Sequence, residues 1–587
     1  MSDFEMTLAQ TSKRQKALCH NPRDKHKTQN GVRPPDPLTF FYGRQENPPS
    51  RNLLYDRIHC DFFPPLLSGH CRSSFLWVQG FPGNTSVTAE VPGKSSSPSE
   101  TRDLTPSNKM MRLIALLSFV VVCLCATTQE WKSRTIYQVL TDRFAKSTPG
   151  TAKCGDLTNY CGGSYKPLTD KLDYIKGMGF DAIWISPIVH NIARGYHGYW
   201  QDDLTRLNEH FGNEADLMEF ISKAHSKGIW VMVDVVANHM IGDSFPKIAP
   251  FNKPEHYHSC AVCPQSCNIE DWSNQFQVEN CRLANLYDLN QTNPYVRDTL
   301  NNWIKGIVQK YKFDGVRIDT LVEVEKSFCL YHRTDFVQAS GVFAIGEASN
   351  YDIQYVSAYQ TPKGTMPSVL SYPLYYTLIN VFAMGHSMNQ LKDRFNDYHA
   401  SFGDVDVLGT FLDCHDVPRF LSFNRDYKLY ENGLVTVLFS SGIPIIYYGT
   451  EQYLDGGHEP NNREDMWRTG YNTNVKMYNY IKTMNAVRSR AQVWKHTQVE
   501  RYVDDNVFVF TRGDALIATT NVGSNGPMLN RTVTFHPFKE GDTLCNVFFW
   551  MTDCIKVING VLPITLVHGE AKVFLPSRMG PVLSQIV

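Results

Sequence analysis

From Trp131 onward, short apolar runs alternate along the chain with stretches whose apolar positions recur at helical spacing. The runs are Thr135–Val139, Ala182–Ile185, Trp230–Asp234, Gly315–Asp319, Val342–Gly346, Ser368–Leu370, Leu408–Leu412 and Pro444–Tyr447, the sixth being the most weakly marked. Between two of them, Leu217, Phe220, Ile221 and Ala224 fall at i, i+3, i+4 and i+7, with Asn213 as the capping residue and Gly228 as the stop. Another helix is predicted from Pro294, with Val296, Leu300, Ile304, Ile307 and Tyr311 on its buried face. Strands and helices that alternate imply a parallel sheet covered by helices. Eight runs are the number that closes a (β/α)8 barrel.

Two regions break the alternation. From Asp234 to Gly315 the chain runs for about 80 residues, too long for a simple crossover, and it carries Cys260, Cys263, Cys267 and Cys281. A small disulfide-pinned domain over residues 240–290, inserted after the third strand, is the expected outcome. Beyond residue 497 the pattern turns to short β runs (Val507–Thr511, Ala515–Thr519, Val533–Phe535, Ala571–Leu575) and turns such as Ser524-Asn525-Gly526-Pro527. Residues 498–587 are therefore predicted to form an antiparallel β-sandwich after a catalytic barrel spanning 131–497.

Residues 1–109 lack either period and are rich in Pro, Ser and basic residues, so they are expected to be disordered. Lys109-Met110-Met111-Arg112 then precedes an apolar run from Leu113 to Ala126, the layout of a secretory signal peptide over residues 110–126. A signal so far from the first residue suggests that translation starts at Met110 or Met111. A cytosolic tail with a signal anchor is the alternative. Ten of the 15 cysteines follow this segment, and pairs such as Cys154/Cys161 and Cys545/Cys554 flank short loops. Disulfides in an oxidising compartment explain them better than a zinc site, because Cys260-x-x-Cys263 has no second pair at zinc-finger spacing. Sequons at Asn290 and Asn530 are compatible with export. A formal charge of −1 argues against nucleic acid or an anionic membrane as partner. Neither nucleic-acid binding nor stable membrane association is expected, and the protein is expected to be a monomer.

Three of the apolar runs lead directly into acids: Asp319, Glu347 and Asp416, 28 and 69 residues apart. A carboxylate at the carboxyl end of a parallel barrel strand points into the shared mouth. Acids gathered there suit glycosidic cleavage, one attacking the sugar and another protonating the leaving oxygen. Arg317 lies two residues before Asp319, hence on the same strand face, where it is expected to keep Asp319 ionised and lower its pKa. His415 sets a neutral donor beside Asp416.

At these residues the chain resembles the secreted fungal-type α-amylases of the α-amylase glycoside hydrolase family, over nearly all of residues 131–587. The resemblance rests on Asp234-Val235-Val236-Ala237-Asn238-His239, Gly315-Val316-Arg317-Ile318-Asp319, Gly346-Glu347, His415-Asp416, Tyr196-His197-Gly198-Tyr199-Trp200, Leu286-Tyr287-Asp288-Leu289-Asn290 and Gly442-Ile443-Pro444-Ile445-Ile446-Tyr447. It implies endo-hydrolysis of α-1,4-glucans by a retaining mechanism. Asp319 would be the nucleophile, Glu347 the general acid/base and Asp416 the transition-state stabiliser. His239, His415 and Arg317 would bind sugar hydroxyls at the cleavage point, with Tyr199 and Trp200 beside them and Tyr199 stacking on the sugar. Glu459 and Arg463 would grip sugars on the non-reducing side. It further implies structural Ca²⁺ between barrel and insertion, held by Asn238, Glu279, Asp288 and the backbone carbonyl of Glu323.

The chain departs from the family at Val322 and Glu323, where the secreted amylases carry a Lys-His pair that contacts leaving-group sugars. Glu459 stands for a shorter acid, and Cys414 for an amide residue beside His415. Cys414 and Cys329 are left as candidate free thiols. The changes at Val322 and Glu323 keep an α-glucosidase or α-glucan transglycosylase in view. A non-catalytic amylase-like membrane subunit is a third reading, opposed by the presence of all three acids.

Overall fold

A computed structural model of the chain describes residues 127–325, 332–360 and 366–581. The extension 1–109, the signal segment 110–126 and Cys329 lie outside the described residues. Among the described residues, no helix is long and apolar enough to cross a membrane.

Eight parallel strands form the barrel: β1 Ile136–Gln138, β2 Ala182–Ile185, β3 Trp230–Val235, β4 Gly315–Ile318, β5 Phe343–Gly346, β6 Ser368–Val369, β7 Gly409–Thr410 and β8 Ile443–Tyr447. They pair in chain order, with β1 against β8 and β8 against β7. A single bridge between Leu370 and Gly409 closes the ring, with Ser371 N–H donating to Gly409 O at 2.8 Å. β7 is shorter than the run Leu408–Leu412 suggests, because that apolar stretch continues past the ladder as a buried loop. Gly409 fills a place no side chain fits: a Cβ there would lie 2.5 Å from Ile345 and 2.9 Å from Ile445.

The covering helices follow their apolar stripes. Helix α1 (Glu214–Ser226) is capped by Asn213, whose side chain accepts from Asp216 N–H while Asp216 answers to Asn213 N–H, and it buries Leu217, Phe220, Ile221 and Ala224. Helix α2 (Pro294–Tyr311) buries Val308 rather than Ile307, since the stripe advances by four residues after Ile304. Between β3 and β4 the chain leaves the barrel. The insertion carries little regular structure: a ladder of His239–Met240 with Tyr287–Asp288, short helical turns, and the disulfides Cys260–Cys267 and Cys263–Cys281. Cys154–Cys161 and Cys545–Cys554 close two further loops.

The C-terminal strands are β9 Gln498–Val503, β10 Val507–Arg512, β11 Ala515–Thr520, β12 Leu529–Val533, β13 Thr543–Asn546, β14 Cys554–Lys556, β15 Leu562–Leu566 and β16 Lys572–Pro576. Six make an antiparallel sheet in the order β9-β10-β11-β16-β13-β14, faced by the pair β12-β15. In β10, Val507 and Val509 enter the core between these layers, while Phe508 and Phe510 join the core of the barrel. Strand alternation thus makes this sheet a middle layer, buried on both faces. Barrel helix α3 (Tyr427–Phe439) is pinned to it, with Asn432 bridging Gly569 O and Thr520 N–H.

Candidate active site

The mouth of the barrel is organised around one guanidinium. Arg317, on β4, is fully buried. Its Nη1 reaches Asp234 Oδ1 at 2.9 Å and Asp319 Oδ1 at 2.6 Å, and its Nη2 lies 2.8 Å from Glu347 Oε2 and 3.9 Å from Asp416 Oδ2. Carboxylates from the ends of β3, β4 and β5, and from the loop after β7, therefore converge on one cation. Asp234, Asp319 and Glu347 sit there because their strands end there. Asp319 also accepts from Thr320 Oγ at 3.2 Å. Glu347 accepts from Thr320 N–H at 3.1 Å and from Tyr372 OH at 3.1 Å. Thr320 makes both contacts from a left-handed conformation, φ +49°, that a β-branched residue adopts only when its surroundings impose it.

Arg317 does pull the pKa of Asp319 down, as expected, but the net shift is upward. Burial drives Asp319 well above the usual carboxylate range, and Glu347, Asp234 and Asp416 push the same way, outweighing Arg317. Asp234 is likewise raised by burial, to about 6, against the pull of Arg317.

Beside the acids, Tyr199 OH donates to Asp234 Oδ2 at 2.8 Å and lies 2.6 Å from His415 Nε2, and its ring stacks on the His415 imidazole. His415 Nδ1 is 2.7 Å from Gln138 Nε2. Burial and the nearby cations Arg463 and Arg317 push His415 well below the ordinary histidine value, so it is neutral. In this arrangement Arg317, His415 and Tyr199 are occupied by other side chains of the site. His239, lowered to about 4 by burial, donates from Nε2 to Tyr199 O at 3.1 Å. Asp416 is the most open of the three acids, its side chain 32% exposed, and Arg463 Nη2 stands 3.4 Å from it. Arg463 also pairs with Glu459, and Trp200 is half-buried with its ring edge-on to His197, centroids 4.9 Å apart. A cavity of about 10 Å³, room for roughly one water, is lined by Gln138, Trp184, Tyr372, Cys414, His415 and Asp416. Cys414 is buried, with burial holding its thiol protonated.

A second set of oxygens lies where β3 leaves for the insertion. Asn238 Oδ1 and Asp288 Oδ1 are buried and accept no hydrogen bond, while Asp288 Oδ2 accepts from His258 Nδ1 at 2.6 Å. Two buried oxygens without donors, one of them on a carboxylate, suit a hard cation. Glu279 accepts from Gln275 at 2.7 Å, and the same Gln275 amide reaches Val322 O at 3.3 Å, which sets that helix against the turn holding Glu323. The Glu323 side chain is itself buried and its pKa raised to about 8, by burial first and Glu347 second.

Residues 138–514 match the family described as alpha amylase, catalytic domain. The chain belongs to the alpha-amylase family. Alpha-amylase 1 of Schwanniomyces occidentalis is 36% identical over 489 residues, 77% of this chain and 91% of that protein. Alpha-amylase 1 of Lipomyces kononenkoae is 38% identical over 403 residues, 65% of this chain and 61% of that protein, so the match leaves more than a third of that relative uncovered. The solved alpha-amylase of Malbranchea cinnamomea superposes with a TM-score of 0.72 at 36% identity, covering 77% of this chain and 98% of that one. This alpha-amylase family member shares with such structures the barrel and the C-terminal antiparallel domain.

Sequence reasoning missed Asp234, Gln138, Thr320 and Tyr372. Asp234 carried a signal, since it too ends an apolar strand run. Gln138, at the end of β1, and Tyr372, at a helix start, reach the site only through tertiary packing.

Proposed function

We propose that this alpha-amylase family glycoside hydrolase cleaves internal α-1,4-glucosidic bonds of starch- or glycogen-type polysaccharides by retaining double displacement. The observation that carries the reading is the Arg317 fork, with Asp319 on one nitrogen and Glu347 on the other. Two carboxylates on one guanidinium suit the short separation, about 5–5.5 Å, of the retaining class. Asp319 attacks the anomeric carbon as Glu347 gives its proton to the departing glycosidic oxygen, and a glycosyl ester forms. Glu347 then takes a proton from water, whose oxygen displaces Asp319 and releases the sugar. Asp416 faces the positive charge that develops on the ring between these steps.

His239, His415, Tyr199, Trp200, Glu459 and Arg463 would line the glucan path, and Arg317 would act on sugar through the acids it holds. Asn238, Asp288, Glu279 and the carbonyl of Glu323 would hold Ca²⁺, which ties insertion to barrel. His239 supports this: with Nε2–H given to Tyr199 O, its Nδ1 faces Asn238 Nδ2 at 3.4 Å, leaving Asn238 Oδ1 for the ion. Four disulfides support secretion of a mature chain that begins near Thr127.

Val322 and Glu323, both buried and Glu323 close enough to Glu347 to feel its charge, favour a second reading in which a sugar hydroxyl replaces water as acceptor. Product analysis on soluble starch decides. Early mixed oligosaccharides support endo-hydrolysis, whereas glucose alone or lengthened chains would replace it with the glucosidase or transglycosylase reading.

A further inference from the structure

The polar chain beneath the acids ends on Gln138, the last residue of β1 and 3% exposed. Its amide Nε2 meets His415 Nδ1 at 2.7 Å, while His415 Nε2 lies 2.6 Å from Tyr199 OH and 3.4 Å from Asp416 Oδ2. Counting protons along this chain fixes their places. Asp234 accepts from Arg317, from Trp184 Nε1 at 3.1 Å and from Tyr199 OH. A carboxylate has no proton to return, so the single Tyr199 proton points at Asp234. The Tyr199 oxygen is then an acceptor, and His415 Nε2 must carry the hydrogen that fills it. A neutral imidazole with Nε2–H has a bare lone pair on Nδ1, and the Gln138 amide N–H is what meets it.

The opposite amide orientation fares worse. It would put Gln138 Oε1 against Nδ1, demand Nδ1–H, turn the Tyr199 proton toward Nε2 and take a donor from Asp234. It would also leave the amide NH₂ buried without an acceptor. The arrangement present leaves only Gln138 Oε1 unpaired.

We propose that Gln138 is a positioning residue for glycosidic cleavage: its amide locks His415 as the neutral Nε2–H tautomer, which holds the Tyr199 hydroxyl on Asp234 and faces Asp416 without adding positive charge to the acid cluster. Gln138 touches none of the three acids and acts through the imidazole. The kinetic half of this inference rests on the hydrolase reading above. The tautomer half does not.

The test uses the mature chain and two substitutions. Gln138→Met keeps the length and fills the same space but donates nothing. Gln138→Glu turns the donor into an acceptor and pulls a proton onto Nδ1. Long-range ¹H–¹⁵N spectra of the histidine side chains, with His415 identified by its loss in His415→Asn, are expected to show Nε2–H in the wild type and a protonated Nδ1 in Gln138→Glu. On a short maltooligosaccharide, Gln138→Met is expected to lower kcat about tenfold with KM within about twofold and an unchanged melting temperature. Gln138→Glu is expected to lower kcat further and to move the acid limb of the pH profile upward. A wild-type His415 protonated on Nδ1, or a folded Gln138→Met with kcat and pH profile within about twofold of wild type, overturns the proposal. If the wild type cleaves no α-glucan, the hydrolase reading falls, and the spectra alone then support or overturn the tautomer lock.

Discussion

The mouth of the barrel and the C-terminal sandwich are both buried, yet they are built from opposite materials. Between the sandwich layers the core is Val507, Val509, Leu516, Leu544, Leu562, Ile564, Leu566 and Phe574, and the buried charges of that sheet, Arg512 and Lys572, each pair with a partly exposed acid, Asp406 and Asp553. In the mouth, Arg317, Asp234, Asp319 and Glu347 are packed together, and burial works against every carboxylate whose pKa it shifts. A cluster of this kind stabilises a fold weakly, because desolvation offsets most of the attraction. Its presence marks a place where geometry is held for chemistry, while the sandwich supplies apolar burial. Substitutions in the two regions should therefore fail differently: mouth variants should lose activity and keep the fold, and sandwich variants should do the reverse.

The largest effect expected is at Asp319. Asp319→Asn keeps shape and removes the group that forms the glycosyl ester, so kcat on starch should fall about a thousandfold or more with an unaltered circular dichroism spectrum. Residual activity above about one-hundredth of wild type would take the nucleophile's role from Asp319. The mirror experiment is Phe574→Ala in the sandwich, expected to cost about 3–5 kcal/mol of stability while kcat at low temperature stays within about twofold. An equal loss of kcat would erase the contrast between the regions.

A smaller effect is expected from calcium. An ion bound only by the folded state adds about 2.7 kcal/mol at a hundredfold excess over Kd, so chelation should lower the melting temperature. Asp288→Ala should blunt that shift. Metal analysis of active, purified protein that finds no calcium would remove the ion from the account.

The smallest effect is set by pH. His197 and His415 are buried neutral, with pKa values depressed well below 6.5 chiefly by burial. His197 Nδ1 accepts Tyr199 N–H at 3.0 Å, a bond that protonation would break. The unfolded chain binds these protons more readily, so their stabilisation is present above about pH 6.5 and is lost as pH falls. Melting temperature should decline between about pH 7 and 5, and His197→Gln should flatten that decline. A flat profile in the wild type would show that these imidazoles are not held neutral.

Much of this was legible in the chain itself. Strand positions came from apolar runs, and Asp319, Glu347 and Asp416 were found because each follows such a run. Periodicity reads one face at a time, so it located α1 correctly and slipped by one residue in α2, at Ile307 against Val308. What stayed hidden depends on partners brought from afar. Arg317 was expected to serve Asp319 alone, but four acids share it, and burial, joined by the repulsion of the other acids, reverses the expected shift. Gln138 and His415 are 277 residues apart, a separation no local pattern reports.

The seam of the ring has a consequence for motion. β6 and β7 contribute two residues each, and the Leu370–Gly409 bridge is the single bridge between them. A wall with so few hydrogen bonds opens at lower free energy than the long β2–β3–β4 side, so its amides should trade protons with solvent first. Asp416 hangs from that wall and Asp319 from the firm one. Breathing of the seam would therefore move the third acid relative to the other two, and a ring bent by the enzyme along its reaction path would find its give on this side.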